Sequence, residues 1–216
     1  MTRLIEVEDW VYEELEKRRR VMGYSSINEV IIDYVIRKAP PVSQERIVVA
    51  EAIKIVKGMN LSDELPIGAV IDEVLFRVAE MYGHLVTSIP KLEGTIFELL
   101  LLRFIDEAGL EYVYRAPQVG YGASKGSLDT TDLLGLPDIV YGVNGSVKGV
   151  IEAKKQDRFH VSEYDKLKLL YVAKKGLKAN IITTAPKPKR SDIYNEIVNT
   201  GIHVFHISTI SDLRMQ

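Results

Sequence analysis

Residues 137–154 read Pro137-Asp138-Ile-Val-Tyr-Gly-Val-Asn144-Gly145-Ser-Val-Lys-Gly-Val-Ile-Glu152-Ala153-Lys154, and this stretch decides the fold class. Two largely apolar runs flank Asn144-Gly145, the dipeptide that most strongly signals a tight hairpin. An antiparallel hairpin brings its two open ends together. Asp138 at the mouth of the first strand therefore meets Glu152 and Lys154 at the end of the second. Glu152 and Lys154 are two residues apart and share a face.

Parity makes the expectation specific. With a two-residue Asn-Gly loop, Val143 pairs with Ser146, and a regular ladder puts Asp138 opposite Ile151, turned away from Glu152. With a three-residue loop, Gly142 pairs with Ser146 and Asp138 falls on the Glu152 face. A shared site therefore predicts the three-residue loop or an irregular start to the first strand, and a regular two-residue loop counts against it.

Two carboxylates held close repel each other and favour a divalent cation between them. Oxygen donors suit Mg²⁺, with Mn²⁺ able to substitute. The Ala153 carbonyl can add a ligand. Lys154 beside the cation can hold an attacking water or stabilise charge building on a phosphate. This set of groups suits phosphodiester hydrolysis.

Upstream, residues 96–105 read IFELLLLRFI, apolar on nearly every side, which predicts a buried helix. A lone Glu98 there needs a partner: Arg103, a lysine or a metal.

Pro137-Asp138 followed by Glu152-Ala153-Lys154 resembles the PD-(D/E)xK nuclease superfamily. The resemblance spans residues 91–216. It implies an α/β restriction-endonuclease-like core, a mixed central sheet flanked by helices. It also implies that Asp138, Glu152 and Lys154 are catalytic, and that Glu98, Asp138, Glu152 and Ala153 hold the metal. Archaeal Holliday-junction resolvases and restriction-type enzymes look most similar in element order. The expected elements are 93–109, 111–115, 138–143, 147–154, 161–176, 178–184, 190–200 and 202–207.

Charge is distributed unevenly. The chain of 216 residues has net charge −2, yet residues 150–190 hold 11 Lys and Arg against 4 Asp and Glu. This block is a footprint for a polyanion or a solvated face. Lys155, Arg158, Lys166 and Lys168 within it, with Lys125, are candidate DNA contacts, and Gln156 is a candidate to orient water or phosphate. The Gly-rich segment Gln118 to Gly135 is expected as a loop.

The first 40 residues read as a short strand and two helices, too few to bury a core alone. They resemble a ribbon–helix–helix module, in which two chains pair their strands, and so imply a homodimer. The ribbon face would carry Thr2, Leu4 and Glu6, poorly suited to phosphate. Residues 41–90 are expected as a helical connector, with helices at 44–58 and 63–84.

Composition excludes several classes. With no cysteine there is no disulfide and no Cys-ligated cluster. No apolar run approaches the ~20 residues of a membrane span. No signal-peptide pattern opens the chain, and a cytoplasmic location is expected. There is no phosphate-cradling glycine loop, so no nucleotide cofactor is expected. The four histidines are assigned no metal. The reading is a homodimeric, Mg²⁺-dependent DNA endonuclease. The alternatives are a junction resolvase, or a DNA-binding regulator with an inactive nuclease fold.

Overall fold

The computed structural model describes residues 44–82, 89–116, 121–133 and 137–214, with seven further positions between 12 and 27. Two compact units are distinguished, Met1–Ser43 and Gln44–Gln216. The ribbon–helix–helix-like module lies outside the described residues, apart from those seven positions. There Glu16 pairs with Arg19 at 3.0 Å, one helical turn away.

The second unit contains α1 (Gln44–Gly58), α2 (Ile67–Tyr82), α3 (Ile89–Glu107), β1 (Glu111–Ala116), β2 (Tyr121–Lys125), β3 (Ile139–Val143) and β4 (Ser146–Lys154). It continues with α4 (Glu163–Lys174), β5 (Lys178–Thr183), α5 (Asp192–Asn199), β6 (His203–His206) and α6 (Ile210–Arg214). The six strands form one mixed sheet in the order β2-β1-β3-β4-β5-β6. The β2, β1, β3 and β4 neighbours run antiparallel; β4, β5 and β6 run parallel. The parallel half follows from its connections, since β4 to β5 and β5 to β6 each cross over through a helix.

Alternation along the strands builds two cores. Ile139, Ile151 and Ile182 face a layer that contains α1, α2, α3 and α6. Val140, Val150 and Ile181 face Leu169 and Val172 of α4 and Ile197 of α5. Both faces of the central strands are covered, which is why β4 reads as an apolar run and not as alternation.

The helices expected as a connector do not merely connect. Val48, Val49, Ala52 and Val56 of α1, with Val70, Ile71, Val74 and Val78 of α2, lie in the same core as α3. At the end of α1, Arg103 Nη1 donates to the carbonyls of Val56 (2.6 Å) and Met59 (2.9 Å). A cation there satisfies carbonyls that the helix leaves without partners. Pro90, expected as a boundary, falls in the first turn of α3, where its missing N–H costs nothing.

Two elements differ from the sequence expectation. The segment Gln118 to Gly135 contains β2, which adds an antiparallel edge to β1, so it is not wholly a loop. The last described element is α6, whose Ile210 and Leu213 are buried against the α3 layer. Among the described residues, no helix is long and apolar enough to cross a membrane.

Candidate functional site

The β3–β4 turn is the two-residue type, not the three-residue loop that was one of the two expectations for a shared site; the irregularity that was the other expectation lies in the ladder, at β4 and not at the start of β3. Val143 pairs with Ser146, and Asn144 and Gly145 have φ of 51° and 75°. Those values are the left-handed pair that a tight primed turn requires, and they explain the Asn-Gly. A regular ladder from this turn would separate the two carboxylates.

The ladder is not regular. Gly142 pairs with Val147, but Tyr141 pairs with Gly149, so Lys148 is an extra residue in β4. This bulge shifts the register by one. Val140 then faces Val150 and Ile139 faces Ile151. Carried one residue further, Asp138 stands opposite Glu152. The physical reason lies in what a regular ladder would bury: Lys148 would be opposite Tyr141, and Glu152 would point into the apolar layer of α3. The bulge leaves Lys148 exposed and turns Glu152 toward α4. Gly149 is needed beside it, because a Cβ there would come within 2.6 Å of the Lys178 carbonyl and of the Tyr141 hydroxyl.

Pro137 and Asp138 shape the open end. The register places Ala153 opposite Pro137, which has no N–H to donate. The Ala153 N–H instead donates to Asp138 Oδ2 at 2.8 Å. The next carbonyl, that of Lys154, accepts from Thr184 on the β5 side at 3.2 Å. Strand groups alternate, so the Ala153 carbonyl points the other way, toward Asp138, with no ladder donor from Pro137.

Glu152 is 3% exposed, and both its oxygens are paired: Lys154 Nζ at 2.9 Å and Lys168 Nζ at 3.1 Å. Both lysines also reach Asp165, at 2.8 and 3.0 Å. Burial alone would lower the Lys154 pKa, but the Glu152 charge and then Asp165 hold it above the ordinary lysine value. Asp165 is pushed up by burial but more strongly down by Lys154, Ser162 and Lys168, and it ends well below the usual carboxylate range.

Glu98 arrives from α3. Arg103 is turned away to α1 and Glu107, so it is not the partner of Glu98. The buried Tyr114 hydroxyl donates to Glu98 Oε2 at 2.8 Å. Burial first, then the charges of Asp138 and Glu152, push Glu98 up to about 8, against the pull of Tyr114 and Lys154. Burial first, then Glu152, push Asp138 up to about 7, although the Ala153 N–H and the two lysines oppose this. Each carboxyl keeps one oxygen, Asp138 Oδ1 and Glu98 Oε1, without a protein hydrogen bond among the described residues. Such a pair is short of positive charge, and hard oxygens in that state fit a divalent cation. Among the described residues, no three His, Asp or Glu side chains already converge on one point.

The structure brings Glu98, Asp138, Glu152, Ala153 and Lys154 to one end of the β3–β4 hairpin. It does not bring all the other candidates there. Lys125 pairs with Asp106 at 2.6 Å and lies in register with Tyr112, toward the turn end of the sheet. Lys166 turns to Glu196 and Glu163. Lys155 is 3.6 Å from Glu93, and Arg158 is exposed. The Gln156 amide bonds the His160 carbonyl at 3.2 Å, not Glu152 or Lys154. A cavity of about 660 Å³ is lined by Tyr141, Lys178, Asn180 and Phe205, and none of the clustered carboxylates lines it.

The sequence reading missed Asp165 and Tyr114. Asp165 carried a signal, because Ser162-x-x-Asp165 is a helix-start pattern and Lys168 follows at i+3. Tyr114 carried none beyond the alternation that buries it.

No protein-family model, curated protein or solved structure matches this chain.

Proposed function

We propose that this protein is a divalent-cation-dependent DNA endonuclease that hydrolyses phosphodiester bonds, with its site at the open end of the β3–β4 hairpin. The observation that carries this reading is the bulge at Lys148, which puts Asp138 and Glu152 opposite each other. What the register shift brings together is a cluster of buried charge, and such a cluster is costly to keep for stability alone.

Asp138 and Glu152 are the main ligands for Mg²⁺, with Glu98 and the Ala153 carbonyl completing the set. The bound cation supplies Lewis-acid polarisation of the phosphate. The Ala153 N–H fixes one Asp138 oxygen and leaves the other for the cation. Tyr114 does the same for Glu98. Lys154 remains an ammonium at neutral pH, because its acidic neighbours hold the proton on. It is therefore a donor that orients water or meets the phosphate's charge, not a base. The surplus of cations in residues 150–190 favours a polyanionic substrate.

The deciding experiment incubates the full chain with supercoiled plasmid, linear duplex and a four-way junction, in Mg²⁺, Mn²⁺ or EDTA, beside Glu152→Ala. Cation-dependent cutting that the variant loses supports the reading, and the preferred DNA form separates restriction-like from junction-resolving activity. Sequence-specific retention of duplex with no cutting of any substrate defeats it in favour of a DNA-binding regulator.

A further inference from the structure

The charge cluster extends past the residues used so far. Glu152, Lys154, Asp165 and Lys168 form a closed ring of alternating sign with contacts of 2.9, 2.8, 3.0 and 3.1 Å. Their side chains are 4, 23, 13 and 12% exposed, so these are not solvated surface pairs. An ammonium has three N–H donors. Each lysine spends two on the ring's carboxylates; the Lys168 ammonium also lies 5.1 Å from the centroid of the exposed Tyr164 ring, a contact that a phosphate can displace.

Asp165 is itself fastened. Ser162 Oγ donates to Asp165 Oδ2 at 2.8 Å, and the Asp165 N–H donates back to Ser162 Oγ at 3.1 Å. This is the N-terminal cap of α4, whose own backbone is held in the core by Leu169 and Val172. The carboxylate that gathers the two ammoniums is thus tied to a rigid element, as an ordered site requires. One lysine comes from β4 and the other from α4, and only Asp165 and Glu152 bring them together.

We propose that Lys168 is a second phosphate-binding residue of this site and that Asp165 is the positioning residue that holds Lys154 and Lys168 at a fixed separation. The proposal rests on the nuclease reading; it singles out Lys168 from the candidate DNA contacts, gives it a place in the site, and adds Asp165. Two ammoniums held side by side by one carboxylate match a group with several anionic oxygens, such as a DNA phosphate, better than a single-point anion. Lys166 in the same helix and Lys175 at its C-terminal cap are engaged elsewhere, by Glu196 and by the Asp132 carbonyl.

The test separates contact from packing. Binding of a labelled DNA duplex to the full chain is measured by anisotropy in EDTA over a range of salt. Lys168→Ala should weaken binding about tenfold, and the slope of log K against log salt should fall by about 0.9, one phosphate contact. Lys168→Arg should restore both. A packing role alone moves melting and leaves the slope alone, and Lys168→Gln, closer in shape, repeats the measurement if the alanine variant folds poorly. Asp165→Asn should keep the salt slope and the KM but lower kcat about a hundredfold.

An unchanged slope in both neutral variants overturns the Lys168 assignment, and an Asp165→Asn protein that cuts at the normal rate overturns the positioning role. If the wild-type chain cuts nothing while Lys168→Ala still lowers the slope, the nuclease reading falls and the phosphate site stands. A wild-type chain that binds no DNA overturns both.

Discussion

Two pairs of carboxylates meet at one end of the hairpin, and their environments are opposite. Glu152 and Asp165, on the α4 side, are each clasped by two lysines. Glu98 and Asp138 are nearly as secluded but have only a hydroxyl and a backbone N–H as close partners. Burial pushes Glu98, Asp138 and Asp165 upward alike; cations decide whether the rise survives. It survives at Glu98 and Asp138 and is reversed at Asp165. On the proposed reading, the cation would sit on the under-paired side, beside Glu98 and Asp138 and within reach of Glu152.

Breaking the well-paired side should have the largest effect. Glu152→Ala removes a proposed cation ligand and leaves Lys154 and Lys168 with Asp165 as their shared carboxylate. Cutting should fall at least a hundredfold to a thousandfold, read by plasmid nicking. Loss of one partner of a buried pair should also cost about 3–5 kcal/mol, read by denaturant unfolding.

Moving the two sides apart should come next. One residue inserted after Val150, past the bulge in the regular ladder, brings Ile151 opposite Asp138 and turns Glu152 to the other face. The chain should fold with most cutting lost. Deleting Lys148 should do far less, because the pairs on either side of the bulge then follow each other in a regular ladder with Asp138 still opposite Glu152. Equal loss in both variants would refute the register argument.

The under-paired side sets the pH response. Glu98 rises from 4.5 to about 8 and Asp138 from 3.8 to about 7. Between those limits the folded chain holds protons that the unfolded chain has released, so metal-free stability falls as pH rises. Melting in EDTA should therefore be lower at pH ~8.5 than at pH ~5.5, and Glu98→Gln should flatten the trend. Asp165 acts in the other direction: its contribution is present above 3.8 and is lost as pH falls further. Mg²⁺ or Mn²⁺ should raise melting most at the alkaline end, by about 2.7 kcal/mol at a hundredfold excess over Kd.

The smallest effect sharpens the contrast without breaking it. Tyr114→Phe removes the one hydroxyl on Glu98. It should cost about 1 kcal/mol in unfolding and move the Glu98 titration further up, read by NMR of the carboxyl carbon.

Much of this was legible in residues 137–154. The Asn-Gly turn, the pairing of two apolar runs and the common face of Glu152 and Lys154 depend on neighbours in sequence, whose geometry is set by turn chemistry and strand period. The buried α3 was legible for the same reason, as a run of apolar residues with one carboxylate. Both crossover helices were expected, at 161–176 and 190–200, and they form at Glu163–Lys174 and Asp192–Asn199.

Other features depended on the assembled fold. Local rules set a regular two-residue turn against a shared carboxylate site and left an irregular strand as the way to have both. The bulge at Lys148 reconciles them, and it is selected by what lies above and below the sheet, not by the hairpin itself. Likewise nothing local told that Arg103 would cap α1 in place of pairing with Glu98, that Lys125 would sit at the far end of the sheet, or that Asp165 would gather two lysines. Sequence by itself determined which charged groups this protein must find room for and which strands carry them. Tertiary structure decided which of those charges meet, because burial cost and strand register are settled only when the helices close over both faces.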